Sequence, residues 1–400
     1  MRMSDRDISD VTGYTYTFLM NGQTPANGWL GLFNRGEKLR LRFINGAAMT
    51  FFDVRIPGLK MTVIAADGQN IEPVTVDEFR IGVAETYDVL VEPKNDMAYT
   101  VFAQAIDRTG YARGTLTPSP ELIAEVPALD PGPLLSHGDM GMGHGGGHSG
   151  HGADMGQPGS EDQRDMSHSQ HMGMAQSPPK AMDHSQHKGI AQSPPMGMDH
   201  NQHKGMDHGA RKTASPQLGS GRAGYGSKRP ITHAKTEYGP HIDMRADAPQ
   251  YRLDDPGVGL RNNGRRVLTY ADIHNLSATY DPREPSREIE LHLTGNMSRY
   301  MWSMNGIKFA DSEPLELKFG ERVRITLVND TMMNHPIHLH GMWSDMETGD
   351  GERIPRKHTV TVQPGAMISY LVTADAKGGW AYHCHLLYHM PGMFRKVVVS

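Results

Sequence analysis

Cysteine occurs once in the 400 residues of this chain, so no intramolecular disulfide can staple the fold, and cysteine usage says nothing about the compartment. No run of about 18 or more apolar residues exists, which excludes a transmembrane helix. Positive charge is not in excess either: the formal net charge is −5, which argues against a nucleic-acid-binding surface. The opening residues, Met1-Arg-Met-Ser-Asp-Arg-Asp7, lack the apolar core of a secretory signal. They lead almost at once into strand-like sequence, as though the chain began inside a larger architecture. Long helical periodicity is missing throughout.

Short alternating runs are present instead. Lys38-Leu-Arg-Leu-Arg-Phe-Ile44, Thr86-Tyr-Asp-Val-Leu-Val91 and Arg322-Val-Arg-Ile-Thr-Leu-Val328 alternate apolar with polar residues and are separated by Gly, Pro and Asn. Period-two runs broken by turn residues predict an all-β chain of antiparallel sandwiches or barrels. The texture fills residues 1–119 and 263–400, and these two parts are internally related. A shift of 284 residues places Tyr16, Met20, Asn21 and Gly22 on Tyr300, Met304, Asn305 and Gly306. It also places Gly36, Glu37, Arg40, Asn45 and Met49 on Gly320, Glu321, Arg324, Asn329 and Met333. An ungapped match of this length is the signature of a duplicated domain.

Between the two parts, residues 120–262 hold eleven of the 22 histidines and ten of the 27 methionines within 135–210. A sixteen-residue repeat runs through Met166-Ser-His-Ser-Gln-His171, Met182-Asp-His-Ser-Gln-His187 and Met198-Asp-His-Asn-Gln-His203. Such Gly, Pro, Ser and Gln content without apolar periodicity cannot bury enough surface to offset chain entropy, so a disordered connector is expected. Recurrent thioether and imidazole pairs suit Cu(I) or Ag(I).

The chemistry is concentrated near the C-terminus. His335-Pro-Ile-His338-Leu-His340 is followed by His383-Cys384-His385, His389 and Met393. A lone buried histidine or cysteine is commonly a core residue, but six histidines and the sole cysteine in two clusters are not. On a strand, successive side chains face opposite ways. Cys384 therefore faces away from His383 and His385, and a metal on its thiolate is joined through the backbone to a separate site held by the two imidazoles. His338 and His340 share a face, while His335 turns the other way, towards Cys384. Two imidazoles, one thiolate and a distant thioether form a blue-copper arrangement. Its strong ligands are His335, Cys384 and His389, with Met393 axial. The first copy has Phe51, Val54 and Ile56 where the second has His335, His338 and His340, so it reads as a structural copy without copper.

The pair His335-Pro-Ile-His-Leu-His-Gly341 and His383-Cys-His-Leu-Leu-Tyr-His389 resembles the C-terminal cupredoxin domain of multicopper oxidases. Tyr300-Met-Trp-Ser-Met-Asn-Gly306, Asn329-Asp-Thr-Met-Met-Asn-His335, Gly341-Met-Trp-Ser-Asp345, Tyr14-Thr-Tyr-Thr-Phe-Leu-Met-Asn-Gly22 and the Met/His-rich connector resemble the bacterial copper-resistance branch of that family. The resemblance implies two cupredoxin-like Greek-key β-sandwiches. It implies type 1 copper on His335, Cys384, His389 and Met393, a type 2 ligand in His338, and type 3 ligands in His340, His383 and His385. It further implies oxidation of Cu(I), with phenols as a second donor class, electron transfer through Cys384 to His383 and His385, and reduction of O2 to water. A periplasmic location is part of the same expectation, with no nucleic acid or membrane span involved. The family's trinuclear cluster takes eight histidines, whereas the only His-x-His pairs here are 338–340 and 383–385. The expectation is therefore a chain without the family's N-terminal cupredoxin domain. The missing ligands would come from that domain or from another subunit, or else the chain binds and sequesters copper without oxidase activity. Met393 lies nine positions after Cys384 where the family has ten, which puts the axial contact in question. Met390, next to His389, is a poorer substitute.

Overall fold

The computed structural model describes residues 4–6, 8–142 and 223–400. The first part carries β1 (Trp29–Leu32), β2 (Leu39–Ile44), β3 (Phe52–Arg55), β4 (Met61–Ala66), β5 (Gln69–Val76), β6 (Glu78–Ile81), β7 (Thr86–Val91), β8 (Tyr99–Ala105) and β9 (Tyr111–Thr117). The second carries β10 (Gln250–Tyr251), β11 (Arg287–Asn296), β12 (Met301–Met304), β13 (Leu315–Leu317), β14 (Arg322–Asn329) and β15 (His335–Leu339). It continues with β16 (Ser344–Met346), β17 (Arg356–Lys357), β18 (Thr359–Val362), β19 (Ala366–Thr373), β20 (Gly378–Cys384) and β21 (Phe394–Val399). Among the described residues the helical elements are three short 3-10 turns, and no helix is long and apolar enough to cross a membrane. The all-β expectation holds.

Alternation drives the strands. In β7, Tyr87, Val89 and Val91 are buried while Thr86, Asp88 and Leu90 are half-buried, as a strand covered on one face requires. Each part folds into two sheets. The orders β1-β9-β8-β3-β6 and β2-β7-β4-β5 in the first part recur in the second as β13-β21-β20-β15-β18 and β14-β19-β16-β17, the latter extended by β11 and β12. In each copy the first strand of the five-stranded sheet pairs in parallel with the last. The duplication extends to single side chains. Asn45 Nδ2 donates to the carbonyls of Thr50 and Ile81, and Asn329 Nδ2 to those of Met333 and Val362. Asn21-Gly22 and Asn305-Gly306 each turn the chain with positive φ at both residues, between the bridges Met20↔Gln23 and Met304↔Ile307.

Disorder is expected over 120–262, but the described flanks, 120–142 and 223–262, are packed. Leu135, Ile242, Met244, Ala246, Leu253, Val258 and Leu260 are buried, and β10 pairs with β19. Arg252 Nη1 donates to the carbonyls of Asp139 and Pro364. These flanks carry isolated apolar residues that dock on sandwich surfaces, so no periodicity announces them. The Met/His repeats at 166–203 lie outside the described residues. The core also ignores the expected boundaries: Ile8, Met49, Phe51 and Ile106 share one cluster with Trp302, Leu339 and Cys384.

The two parts are tied by Lys357 on β17, whose side chain is fully buried. Its Nζ lies 3.0 Å from Asp67 and 3.2 Å from Glu85, both in the first part. Burial would push the ammonium's pKa down, but Asp67 and then Glu85 outweigh it and hold it well above the ordinary lysine value. Asp67 also accepts backbone hydrogens from Thr86, His358 and Thr359. Replacing Lys357 by Met leaves two buried carboxylates without their cation, so a loss of about 3–5 kcal/mol is expected. Denaturant unfolding measures it; a loss below about 1 kcal/mol would show that this pair does not hold the two parts together.

Candidate metal centre

β15 and β20 lie side by side, and their register separates two sets of ligands. Ile337 pairs with Cys384 and His338 with His383. Directly opposed residues share a face, so Cys384 points with Ile337 into the core while His383 points with His338 to the other side. The strand alternation expected from His383-Cys384-His385 is what the register shows.

On the core side, Cys384 Sγ lies 3.5 Å from His335 Nδ1 and 3.9 Å from His389 Nδ1, and the two nitrogens are 3.3 Å apart. Three ligands at about 2.0–2.3 Å from a shared ion in their plane would be separated by roughly 3.5–3.8 Å, so the triangle is of ligand size. All three residues are essentially inaccessible to solvent. Burial pushes the Cys384 thiol well above its usual value. Burial also lowers His335, aided by His389, and it lowers His389 against the pull of Asp10. The imidazoles are thus neutral donors, and the thiol ionises in this dry site only when a cation takes the proton's place. A soft sulfur with two imidazoles fits copper.

The outer nitrogens are also held. His335 Nε2 lies 2.6 Å from Thr331 Oγ1, and His389 Nε2 donates to Asp10 Oδ2 at 2.8 Å. Trp302 stacks on the His389 ring with centroids 3.7 Å apart. Met393 is fully buried in the cluster that contains Cys384. Its backbone N–H donates to His389 O and its carbonyl accepts from Cys384 N, closing the 389–393 turn. Gly392 is required in that turn, because a Cβ there would fall 1.8 Å from the Trp302 carbonyl.

On the opposite face His338, His340, His383 and His385 converge, with ring centroids 4.6 to 5.8 Å apart. His340 Nε2 and His383 Nε2 approach to 3.1 Å, close enough to share one cation. His338 Nδ1 donates to His358 O at 2.6 Å, which leaves Nε2 as its metal-binding atom. Burial depresses His338 to about 4 and also lowers His383 and His385. All eight expected side chains therefore fall in one region on two faces of adjacent strands.

Three contributors carry no spacing signal in the sequence. Asp10 is 379 residues from the histidine it holds. His358 is a single histidine whose ring lies 5.4 Å from His338. Thr331 sits in the motif Asn329–His335, but nothing local marks its hydroxyl as a partner of His335.

A family model described as Multicopper oxidase matches residues 282–400, and a second with the same description matches residues 2–120. Copper resistance protein A of Escherichia coli is 57% identical over 402 residues, covering 100% of this chain and 62% of that protein. A copper resistance protein A homolog of Pseudomonas syringae pv. tomato is 55% identical over 403 residues, covering 100% of this chain and 61% of that protein. The chain thus spans about three fifths of the length of the curated relatives it matches. The crystal structure of laccase from Botrytis aclada shares the fold, with a TM-score of 0.52, 15% identity, and coverage of 93% of this chain and 53% of that one. With both sandwiches matched by multicopper oxidase models, and with more than half of its residues identical to copper resistance proteins A along its full length, this chain belongs to the multicopper oxidase family.

Proposed function

We propose that this chain is the electron-accepting part of a copper-resistance oxidase, with Cu(I) as donor, phenols as a second donor class, and O2 as the final acceptor. The observation that supports this best is the two-faced arrangement of β15 and β20. A thiolate set lies in the core, and four imidazoles lie one peptide unit away on the other side. Bound copper would supply one-electron chemistry at the sulfur-ligated position and reduction of O2 to water at a trinuclear cluster.

The residues divide the work. His335, Cys384 and His389 hold the type 1 position, with Met393 as axial candidate; His338 serves the type 2 position, and His340, His383 and His385 serve type 3. Cys384 is covalently continuous with His383 and His385, so the path between the faces needs no jump through space. Asp10 and Trp302 fix the His389 ring, and Asp10 in turn accepts from the Tyr300 hydroxyl, which is near the surface. Donor electrons would arrive along this edge. Of the methionines flanking Trp302, Met304 is buried, whereas Met301 is 43% exposed and offers a soft thioether to Cu(I). A periplasmic place of work rests on the resemblance alone.

Loading the full chain anaerobically with copper tests the proposal. An oxidase shows strong visible absorption and then consumes O2 when a cuprous donor is added. Strong absorption with O2 untouched would sink the oxidase reading for this chain and leave copper holding as its role. Cys384→Ser is expected to abolish the visible band and all donor oxidation. Asp10→Ala is expected to keep the band while lowering kcat/KM for the cuprous donor about 10–100-fold, because the carboxylate orients a ligand without being one. An unchanged kcat/KM would remove Asp10 from the electron path.

A further inference from the structure

Among the described residues a second group of metal-ligating side chains exists, and it shares no residue with the copper set. His233, Glu237, His292 and Asp330 bring one donor atom each to within 4.8 Å of the others. They come from three separate stretches: the 3-10 turn Lys235–Glu237 with the residue two before it, β11, and the residue after β14. The donors alternate nitrogen and oxygen around a ring. His233 Nδ1 lies 2.8 Å from Glu237 Oε2, which lies 3.3 Å from His292 Nδ1. That nitrogen is 2.7 Å from Asp330 Oδ2, which is 3.6 Å from His233 Nδ1. A tetrahedron with ligand bonds of about 2.0–2.1 Å has edges of roughly 3.3 Å, inside the span of these four distances.

We propose that His233, Glu237, His292 and Asp330 form a closed, four-coordinate site for a divalent cation of the zinc type. Two features distinguish it from an ordinary ion-pair network. First, each imidazole aims Nδ1 at the centre and gives Nε2 to an acceptor, His233 to Ala246 O at 3.3 Å and His292 to Glu290 Oε1 at 3.1 Å. An acceptor on Nε2 leaves Nδ1 as the nitrogen at which an ion would replace a proton, and such outer support is what metal-binding histidines almost always have. Asp330 is held in the same way, its second oxygen accepting from Ala246 N at 2.7 Å. Second, burial lowers His292 but Asp330 and then Glu237 outweigh it and raise it to about 9, so without an ion a proton sits among the carboxylates; a divalent ion taking that place cancels the −2 of Glu237 and Asp330. That matters in a place where Glu237, His292 and Asp330 are almost wholly buried. The His233 side chain, 10% exposed, is the way in. Mixed imidazole and carboxylate donors with no sulfur suit zinc. The ion would clamp the segment that follows the Met/His repeats onto the sheet that leads to His335.

Zinc counting tests this on the full-length protein. The chain is incubated with zinc sulfate before any copper is added and dialysed against a weak chelator, and a separate sample is loaded with copper for its visible band. Wild type is expected to retain one zinc more per chain than His233→Ala or Glu237→Gln. Equal retention by wild type and by variants that keep the visible copper band and the far-ultraviolet circular dichroism overturns the site. Should the variants fail to fold, wild-type crystals grown with zinc sulfate decide the matter through anomalous scattering on both sides of the zinc edge. A zinc peak between the four side chains supports the site, and its absence there overturns it.

Discussion

The burial of Lys357 between Asp67 and Glu85 is the constraint on which the copper-binding geometry depends. A buried ammonium between two buried carboxylates tolerates little displacement, because any separation leaves charge unpaired in a poorly solvated place. The next residues in sequence, His358 and Thr359, give their backbone hydrogens to the same Asp67 carboxylate. His358 O then accepts from His338 Nδ1. One carboxylate of the first sandwich thus fixes, through two hydrogen bonds, which nitrogen of His338 faces the other histidines. The tie between domains and the orientation of a metal ligand are one piece of structure.

This explains what a copper-free copy contributes. Phe51 packs into the shared core, Val54 and Ile56 fill the first sandwich, and the strand pairing places Phe52 where the second copy has His335. The first copy acts as outer support for the second. It supplies Asp10 to His389, the Ala48 carbonyl to Leu387 N, and the Met49 sulfur to Tyr388 N. The stretch between Cys384 and His389 is therefore braced by the neighbouring sandwich as well as by its own. Outer contacts of this kind set ligand orientation and basicity nearly as strongly as the ligands do.

What was legible in the sequence was local. His-x-His spacing on a strand predicts a shared face, the His-Cys-His triplet predicts two faces, and the 284-residue shift predicts two copies with the same strand order. Each depends on backbone period alone. What was not legible depends on chain crossings. Asp10 meets His389, and His233 meets His292 and Asp330, only after two sandwiches and an ordered return segment have been assembled. The packed flanks of the connector escaped for a related reason: Leu135, Met244 and Leu253 are single apolar residues in Pro- and Gly-rich sequence, and their burial comes from the surfaces they land on. Composition alone does not foresee these contacts.

The segment between β14 and β15 joins these features. Asn329 holds it from inside, donating to Met333 O and Val362 O and accepting from the backbone and hydroxyl of Thr331. That hydroxyl lies against His335 Nε2, so the position of a copper ligand is inherited from an asparagine six residues earlier. The equivalent Asn45 makes matching backbone contacts in the first copy, so the turn does not depend on a metal ligand following it. What the second copy adds lies at either end of that turn: Asp330 in the buried His233, Glu237 and His292 cluster, and His335 facing Cys384. A loop pinned at both ends by buried polar groups pays little further entropy when His335 takes up a ligand, and it presents its nitrogen in one orientation. The proposed copper ligands are thus held by the fold itself, with the Cys384 thiol proton as the principal thing a cation would displace.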